Sequence, residues 1–311
     1  MLKFKVVNHI YKPTGEYEWS LSHAQVPFAY LHPEGFIRIF FATRDSNSCS
    51  STSFIDVDPH DPTKILYKHN KPVLTKGDLG YFDDSGTMPS WFIKHNSKLR
   101  LYYTAWNKSK EASYRLSIGI AESDDEGVTF KKLYKGPLLD RSIHDNIWVG
   151  QPCVLFDEGI WKMWYLSCEK IEYIDNHPEP FYNVKYATST DGIDWKRNGE
   201  ICIPFNHKNG VDSIGRPFVF KEHGIYKMFH SNRSAHGYRD NPNKSYNICY
   251  SESIDGLIWE QKQLSIEGLN NEWCNVMNEY TSLINVDEKT FLFFNGNGFG
   301  ESGFGVAELI K

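Results

Sequence analysis

One strand pattern recurs five times along this chain of 311 residues, and an internal repeat limits the accessible folds more than any other sequence feature. The copies are HAQVPFAYL around Pro27, GTMPSWFI around Pro89, VGQPCVLF around Pro152, IGRPFVFK around Pro217 and MNEYTSLI around Tyr280, at intervals of 62, 63, 65 and 63 residues. After each comes a turn (HPEG, HNSK, DEG, EHG, VDEK) and a second, aromatic-rich run: IRIFFATRD, LRLYYTAWN, WKMWYLSCEK, YKMFHSNRS and FLFFNGNG. Apolar and polar positions alternating between Gly, Asn and Asp turns are hairpin signals. A third strand closes each unit (SSTSFIDVD, YRLSIGIAES, YNVKYATST, YNICYSES, GFGVAEL), and most units then continue into a fourth.

Between the third and fourth strands stand SDDEGVTF, STDGIDW and SIDGLIW, from Ser123, Ser189 and Ser253. A hydroxyl and a carboxylate tie down a tight turn there, a glycine permits positive φ, and an aromatic anchors the next strand, so these acids read as structural. Four strands every 63 residues or so make a propeller blade. The chain is therefore expected to be all-β, a single five-bladed β-propeller domain over 1–311 with four-stranded blades. The fifth unit lacks an outer strand, and LKFKVVNH at the N-terminus is strand-like and unassigned, so an N-terminal strand closing the last blade is expected. Closure removes exposed sheet edges.

The formal net charge of -5 argues against nucleic acid or an anionic membrane as partner, since both require a basic field. No segment approaches the roughly 18 apolar residues of a membrane span, and the N-terminus lacks a signal-peptide core, so no membrane insertion and a cytoplasmic location are expected. Six cysteines without a C-x-x-C pair read as reduced, mostly buried thiols. No metal ligand set and no cofactor fingerprint is legible. The glycine-rich FFNGNGFGESGFG lacks the helix and the G-K-[ST] ending of a phosphate loop. Aromatics reach 15%, which suits β packing and equally a cleft lined with flat rings.

The aromatic-rich repeats, the Y-A-x-S-x-D-G-x-x-W pattern from Tyr186 to Trp195 and the proline opening four of the five innermost strands resemble the five-bladed glycosidase-like superfamily of arabinanases, xylosidases, invertases and mannoside phosphorylases. HAQVP, FFATRD, FDDSGTMPS, KYATSTDGIDW and FFNGNGFGESGFG are similar to an uncharacterised bacterial group within it, often associated with surface-polysaccharide gene clusters. The resemblance covers essentially the whole chain and implies a glycan-active protein with a carbohydrate partner. Arabinanase-like members carry carboxylates just before the innermost-strand proline in the first and third blades and a glutamate near it in the fourth. Here those places hold Val26, Gln151 and Arg216, with Met88 in the second and Glu279 preceding Tyr280 in the fifth. The family triad does not carry over.

Polar residues at the starts of the innermost strands should converge on one funnel. Glycoside hydrolysis takes two carboxyl groups, roughly 5 Å apart for retention or about 6.5–9.5 Å for inversion. Asp84, Asp212 and Glu279 are the expected catalytic carboxyls, with Asp83 and Asp145 beside them as substrate contacts. Arg44, Arg216 and His23, joined by Lys185, Arg233 and Arg239, suit a carboxylate, phosphate or sulfate, because guanidinium forks match such oxyanions. Gln25, Asp45, Gln151, Asn295 and Asn297 are expected to hydrogen-bond the sugar, and Trp106 to stack on it. Hydrolysis, phosphorolysis with phosphate held by Arg and His, transfer from an activated sugar, and glycan binding without turnover all stay open.

Overall fold

The computed structural model describes residues 1–310; Lys311, where the expected domain ends, lies outside the described residues. The fold is all-β apart from two short helical turns. The strands are β1 (Leu2–Tyr11); β2 (Ser22–Leu31), β3 (Ile37–Arg44), β4 (Ser50–Val57) and β5 (Ile65–Lys68); β6 (Gly86–His95), β7 (Lys98–Lys108), β8 (Tyr114–Ser123) and β9 (Lys131–Lys132); β10 (Val149–Asp157), β11 (Ile160–Ile174), β12 (His177–Ser189) and β13 (Trp195–Ile203); β14 (Ser213–Glu222), β15 (Ile225–Arg233), β16 (Asn247–Ser253) and β17 (Glu260–Lys262); β18 (Leu264–Glu267); and β19 (Glu279–Val286), β20 (Lys289–Asn295) and β21 (Phe304–Leu309).

Pairing runs as antiparallel meanders. β2 to β5 form one group, β6 to β9 a second, β10 to β13 a third, β14 to β17 a fourth, and β19 to β21 a fifth. β1 completes the fifth, running antiparallel to β21 with Phe4 opposite Leu309. Single parallel bridges, Ser50 to Gly86 and Tyr182 to Ser213, join the first group to the second and the third to the fourth. The first strands of the groups touch in cyclic order: β2 meets β6, β6 meets β10, β10 meets β14, β14 meets β19, and β19 meets β2. Among the described residues no helix is long and apolar enough to cross a membrane.

The S-x-D-G turns are built as the residue types suggest. Ser189 Oγ donates to Asp191 Oδ1 at 2.9 Å and accepts from the Gly192 amide, and Ser253, Asp255 and Gly256 repeat this. Gly192 and Gly256 hold φ of 74 and 78, where a side chain would be strained. The core is aromatic: Phe28, Trp91, Phe92 and Phe218, from three groups, pack with ring centroids 4.9 to 6.1 Å apart.

A β-bulge near the start of the first strand sets the site geometry, because a bulge re-aims side chains. It leaves 26 and 27, 151 and 152, 216 and 217, and 280 and 281 opposite one residue each of the neighbouring strand. Val26, Gln151 and Tyr280 accordingly take φ of 51, 46 and 55. Tyr280 is thus equivalent to the residue before the proline, and Glu279 to Gln25, Gly150 and Gly215: the fifth copy of the repeat is offset by one from its sequence alignment.

Candidate functional site

A cavity of 290 Å³ opens where the first strands begin. Gln25, Val26, Gln151 and Tyr280 of the bulges form part of its wall, with Arg44 and Trp106 from the ends of β3 and β7. Much of the rest is aromatic: Tyr114, Trp148, Tyr182, Tyr238, Tyr246 and Phe299. The β11–β12 hairpin, at 15 and 13 residues the longest in the chain, adds His177 and Glu179.

Glu179 is the one carboxylate among the lining residues. It is 2% exposed and ion-paired to Arg239, with Arg233 Nη2 at 3.9 Å and His177 Nδ1 at 2.9 Å. Its Oε2 accepts no hydrogen bond. Arg233 is buried against the rings of Tyr238 (4.1 Å), Tyr246 (5.5 Å) and Tyr182 (5.6 Å). Its Nε donates to the Tyr246 hydroxyl at 3.2 Å, and the Tyr246 and Tyr182 hydroxyls are hydrogen-bonded to each other. Arg44 differs: its Nε donates to Gln25 Oε1 at 3.1 Å, and no carboxylate among the described residues lies within 4.0 Å. Burial lowers its proton affinity while Tyr280 and Glu301 favour the charge, leaving a cation with spare donors at the cavity wall.

The three expected catalytic carboxyls do not meet here. Asp84 accepts from the Gly80 amide (3.0 Å), Ser85 Oγ (2.9 Å) and Asn107 Nδ2 (2.7 Å); burial pushes its pKa up, but these donors outweigh it and hold the carboxyl below its usual range. Asp212 accepts from His207 Nδ1 and the Ala235 amide, both at 2.6 Å. Both acids tie loops outside the cavity lining. Glu279 lies behind the wall at 0% exposure, and neither oxygen closes a well-formed hydrogen bond. Burial raises its pKa well above the ordinary value, with Arg233 and Tyr280 pulling it partly back, so its protonated form is favoured beside Tyr280.

Of the other expected contacts, Gln25, Arg44, Trp106, Gln151, Arg233 and Arg239 reach the cavity and the rest do not. Arg216 is fully buried and donates to the carbonyls of Pro27 (3.0 Å), Tyr280 (3.2 Å) and Ser90 (3.3 Å). It joins three first strands and has no donor turned to a ligand. Asp83 and Asp145 form equivalent pins in successive groups: Asp83 with Tyr103 and Lys132, Asp145 with Tyr165 and Arg197. Lys185 pairs with Asp145 and Glu169 instead of the cavity. His23 hydrogen-bonds Ser22 Oγ, and burial, with Arg44 and Lys12, pulls its pKa down to about 3. Asp45 caps its own turn through the Asn47 and Cys49 amides. Asn295 clasps β2, accepting from the Val26 amide (2.7 Å) and donating to Ala24 (2.6 Å) and Gly303 (2.9 Å). Asn297 holds the Val276 and Met277 amides. Glu179, Tyr182, Tyr238 and Tyr246 were not legible as site residues, since they stand on third strands or in connections, away from the repeat's first-strand ends. Among the described residues no three His, Cys, Asp or Glu side chains gather to hold a metal ion.

No family model matches the sequence. An uncharacterised protein of Mycobacterium tuberculosis, Rv1502, is 29% identical over 310 residues, covering 99% of each chain. A glycosyl hydrolase from Bacteroides ovatus superposes with a TM-score of 0.73 at 14% identity, over 98% of this chain and 93% of that one. A structure from the GH130 family of mannoside phosphorylases, which contains glycoside hydrolases that target β-1,2 mannosidic linkages in Candida mannan, gives 0.73 at 13% identity over the same shares. In fold, this chain stands with the glycoside hydrolase-like propeller proteins.

Proposed function

We propose that the protein is a closed five-bladed propeller that acts on a glycosidic bond of a glycan bound in the axial cavity, with an anionic group held by Arg44. The even repeat and the cyclic contacts of the first strands support the closed ring. The observation that carries the functional reading is the cavity wall itself: flat rings beside an arginine without a carboxylate partner. Rings offer stacking faces to pyranoses, and a guanidinium with free donors matches an oxyanion bidentately.

Two-carboxyl hydrolysis is poorly served, since Asp84 and Asp212 are saturated elsewhere and Glu279 is sealed off. One carboxyl plus one bound oxyanion suits phosphorolysis better. With inorganic phosphate on Arg44 in place of the glycan's own anionic group, an oxygen of dihydrogen phosphate attacks the anomeric carbon, the bond to the leaving oxygen breaks, and that oxygen takes the proton the phosphate gives up, relayed through Glu179, giving a sugar phosphate and a shortened glycan. The test is incubation with neutral and uronate-containing oligosaccharides, with and without inorganic phosphate, followed by mass spectrometry. Sugar phosphate formed only with phosphate, and lost about 100-fold or more in Glu179→Gln, is expected. Phosphate-independent products would replace phosphorolysis by hydrolysis. Binding without any product would favour a non-catalytic glycan-binding protein, a reading to which the displacement of Asp84 and Asp212 from the cavity lends weight.

A further inference from the structure

Away from the axial cavity, two grooves of 670 and 390 Å³ lie along the second strand group and share Tyr81, Phe82 and Lys135. Their walls come from the 72–83 connection, the 130–141 segment and the ends of β7 and β8. Lys76 and Lys132 add cations to one and Arg115 and Arg141 to the other. Lys132 is neutralised by buried Asp83, and Arg141 has Asp140 at 3.9 Å. Lys76, Lys135 and Arg115 have no carboxylate within 4.0 Å among the described residues. Lys76 donates to Cys49 Sγ at 3.7 Å and Asp78 stands in the same wall, so three cations without a carboxylate partner face one acid, an excess that on a chain of net charge -5 is a local attractor for anions. Tyr134 and Tyr81, exposed to 50% and 36%, supply flat faces next to those charges.

The groove and the axial cavity lie on opposite faces of β7 and β8. Successive side chains of a strand point to opposite faces. Trp106 and Tyr114 line the cavity, while their chain neighbours Asn107 and Arg115 line the groove. Asn107 also fixes the groove loop, donating to Tyr81 O at 2.7 Å.

We propose that these two adjoining grooves are a second binding site, separate from the axial cavity, for an acidic polysaccharide chain. Carboxylates along the chain meet Arg115, Lys135 and Lys76, and the sugar rings lie on Tyr81 and Tyr134. Its choice of ligand rests on the glycan reading above, but the binding claim is tested separately from any turnover.

The experiment is native electrophoresis through gels containing polygalacturonate, alginate or neutral dextran, with wild type, the exposed-residue double variant Arg115→Ala/Lys135→Ala, and a charge-matched control, Lys3→Ala/Lys5→Ala, at exposed positions of β1. Circular dichroism confirms that each variant is folded. Retardation by at least one polyuronate and not by dextran is expected. The double variant should bind about tenfold more weakly, as the loss of two solvent-exposed ion contacts implies, and Lys3→Ala/Lys5→Ala should be retarded like wild type. No retardation by either polyuronate, unchanged binding of the double variant, or an equal loss of retardation in Lys3→Ala/Lys5→Ala overturns the proposal. So does single-stranded DNA competing as well as an equal charge of polyuronate. Failure of the groove leaves the axial reading intact, because titration of Arg44→Met with short oligosaccharides reports on that cavity alone.

Discussion

Replacing Asn295 by Ala separates a structural clasp from a sugar contact. The side chain is wholly buried and makes three hydrogen bonds between β20 and its surroundings: Val26 N–H to Oδ1 at 2.7 Å, and Nδ2 to Ala24 O at 2.6 Å and Gly303 O at 2.9 Å. Alanine takes the side-chain partner from the Val26 amide and the Ala24 carbonyl, whereas Gly303 O keeps the Gly296 amide at 3.2 Å. Each such orphan costs about 1–3 kcal/mol, and local relaxation at the strand ends recovers part, so a net loss of about 3 kcal/mol is expected. For a chain of this size that corresponds to a fall in Tm of about 6 °C. Asn295→Asp should be no better, because a carboxylate cannot donate to the two carbonyls. Differential scanning calorimetry with guanidinium titration of the same variants measures this. A Tm within 2 °C of wild type, accompanied by weakened oligosaccharide binding, would refute the clasp and return Asn295 to the ligand.

Burial raises the pKa of Glu279 in the fold well above its ordinary 4.5. The folded state therefore binds more protons than the unfolded one above that value, and this contribution to stability is full below pH 4.5 and declines as pH rises. Glu279→Gln should flatten the fall in guanidinium midpoint between pH 5 and 8; an unchanged slope contradicts it. Asp145→Asn breaks the pins to Arg197 and Lys185 and should cost about 3–5 kcal/mol, whereas Asp84→Ala at its turn should cost about 1 kcal/mol and leave glycan binding intact, as denaturation and calorimetric titration will show. At Gly86 an added Cβ would lie 2.1 Å from Ser50 Oγ and 2.4 Å from Trp106 Nε1. Gly86→Ala should displace Trp106 from the cavity wall, seen as a changed tryptophan emission and weaker glycan binding; identical spectra contradict this.

The strands and turns were legible because hairpins write themselves locally. Ser189, Asp191 and Gly192 form their turn with their own backbone, and the alternating aromatics of β7 and β11 need only one neighbouring strand. The site was legible at Gln25, Arg44, Trp106, Gln151 and Arg233, where strand position alone aims the side chain, and at Arg239 in the connection that follows β15. It was not legible where a bulge or a partner decides. Asp84 and Asp212 share a sequence offset from their prolines, yet Asn107 and the Gly80 amide capture one and His207 with the Ala235 amide the other. Arg216 begins its strand as expected, but three carbonyls from other strands absorb its guanidinium. Glu179 enters the cavity only because the β11–β12 hairpin is long enough to carry it there, a consequence of tertiary packing that no local pattern announces. The offset at Tyr280 arises in the same way, since the bulge puts a tyrosine where other copies hold valine, glutamine and arginine.

The central claim is that Arg44 receives an anionic group of a glycan in the axial cavity, and isothermal titration of wild type and Arg44→Met with matched uronate-containing and neutral oligosaccharides tests it most directly. A charge-assisted contact of this kind contributes about 1.5–3 kcal/mol, so the uronate ligand should bind wild type at least about tenfold more tightly than its neutral counterpart, and Arg44→Met should abolish that preference. Equal affinity for the two ligands in wild type, or a preference that survives in Arg44→Met, would contradict the account.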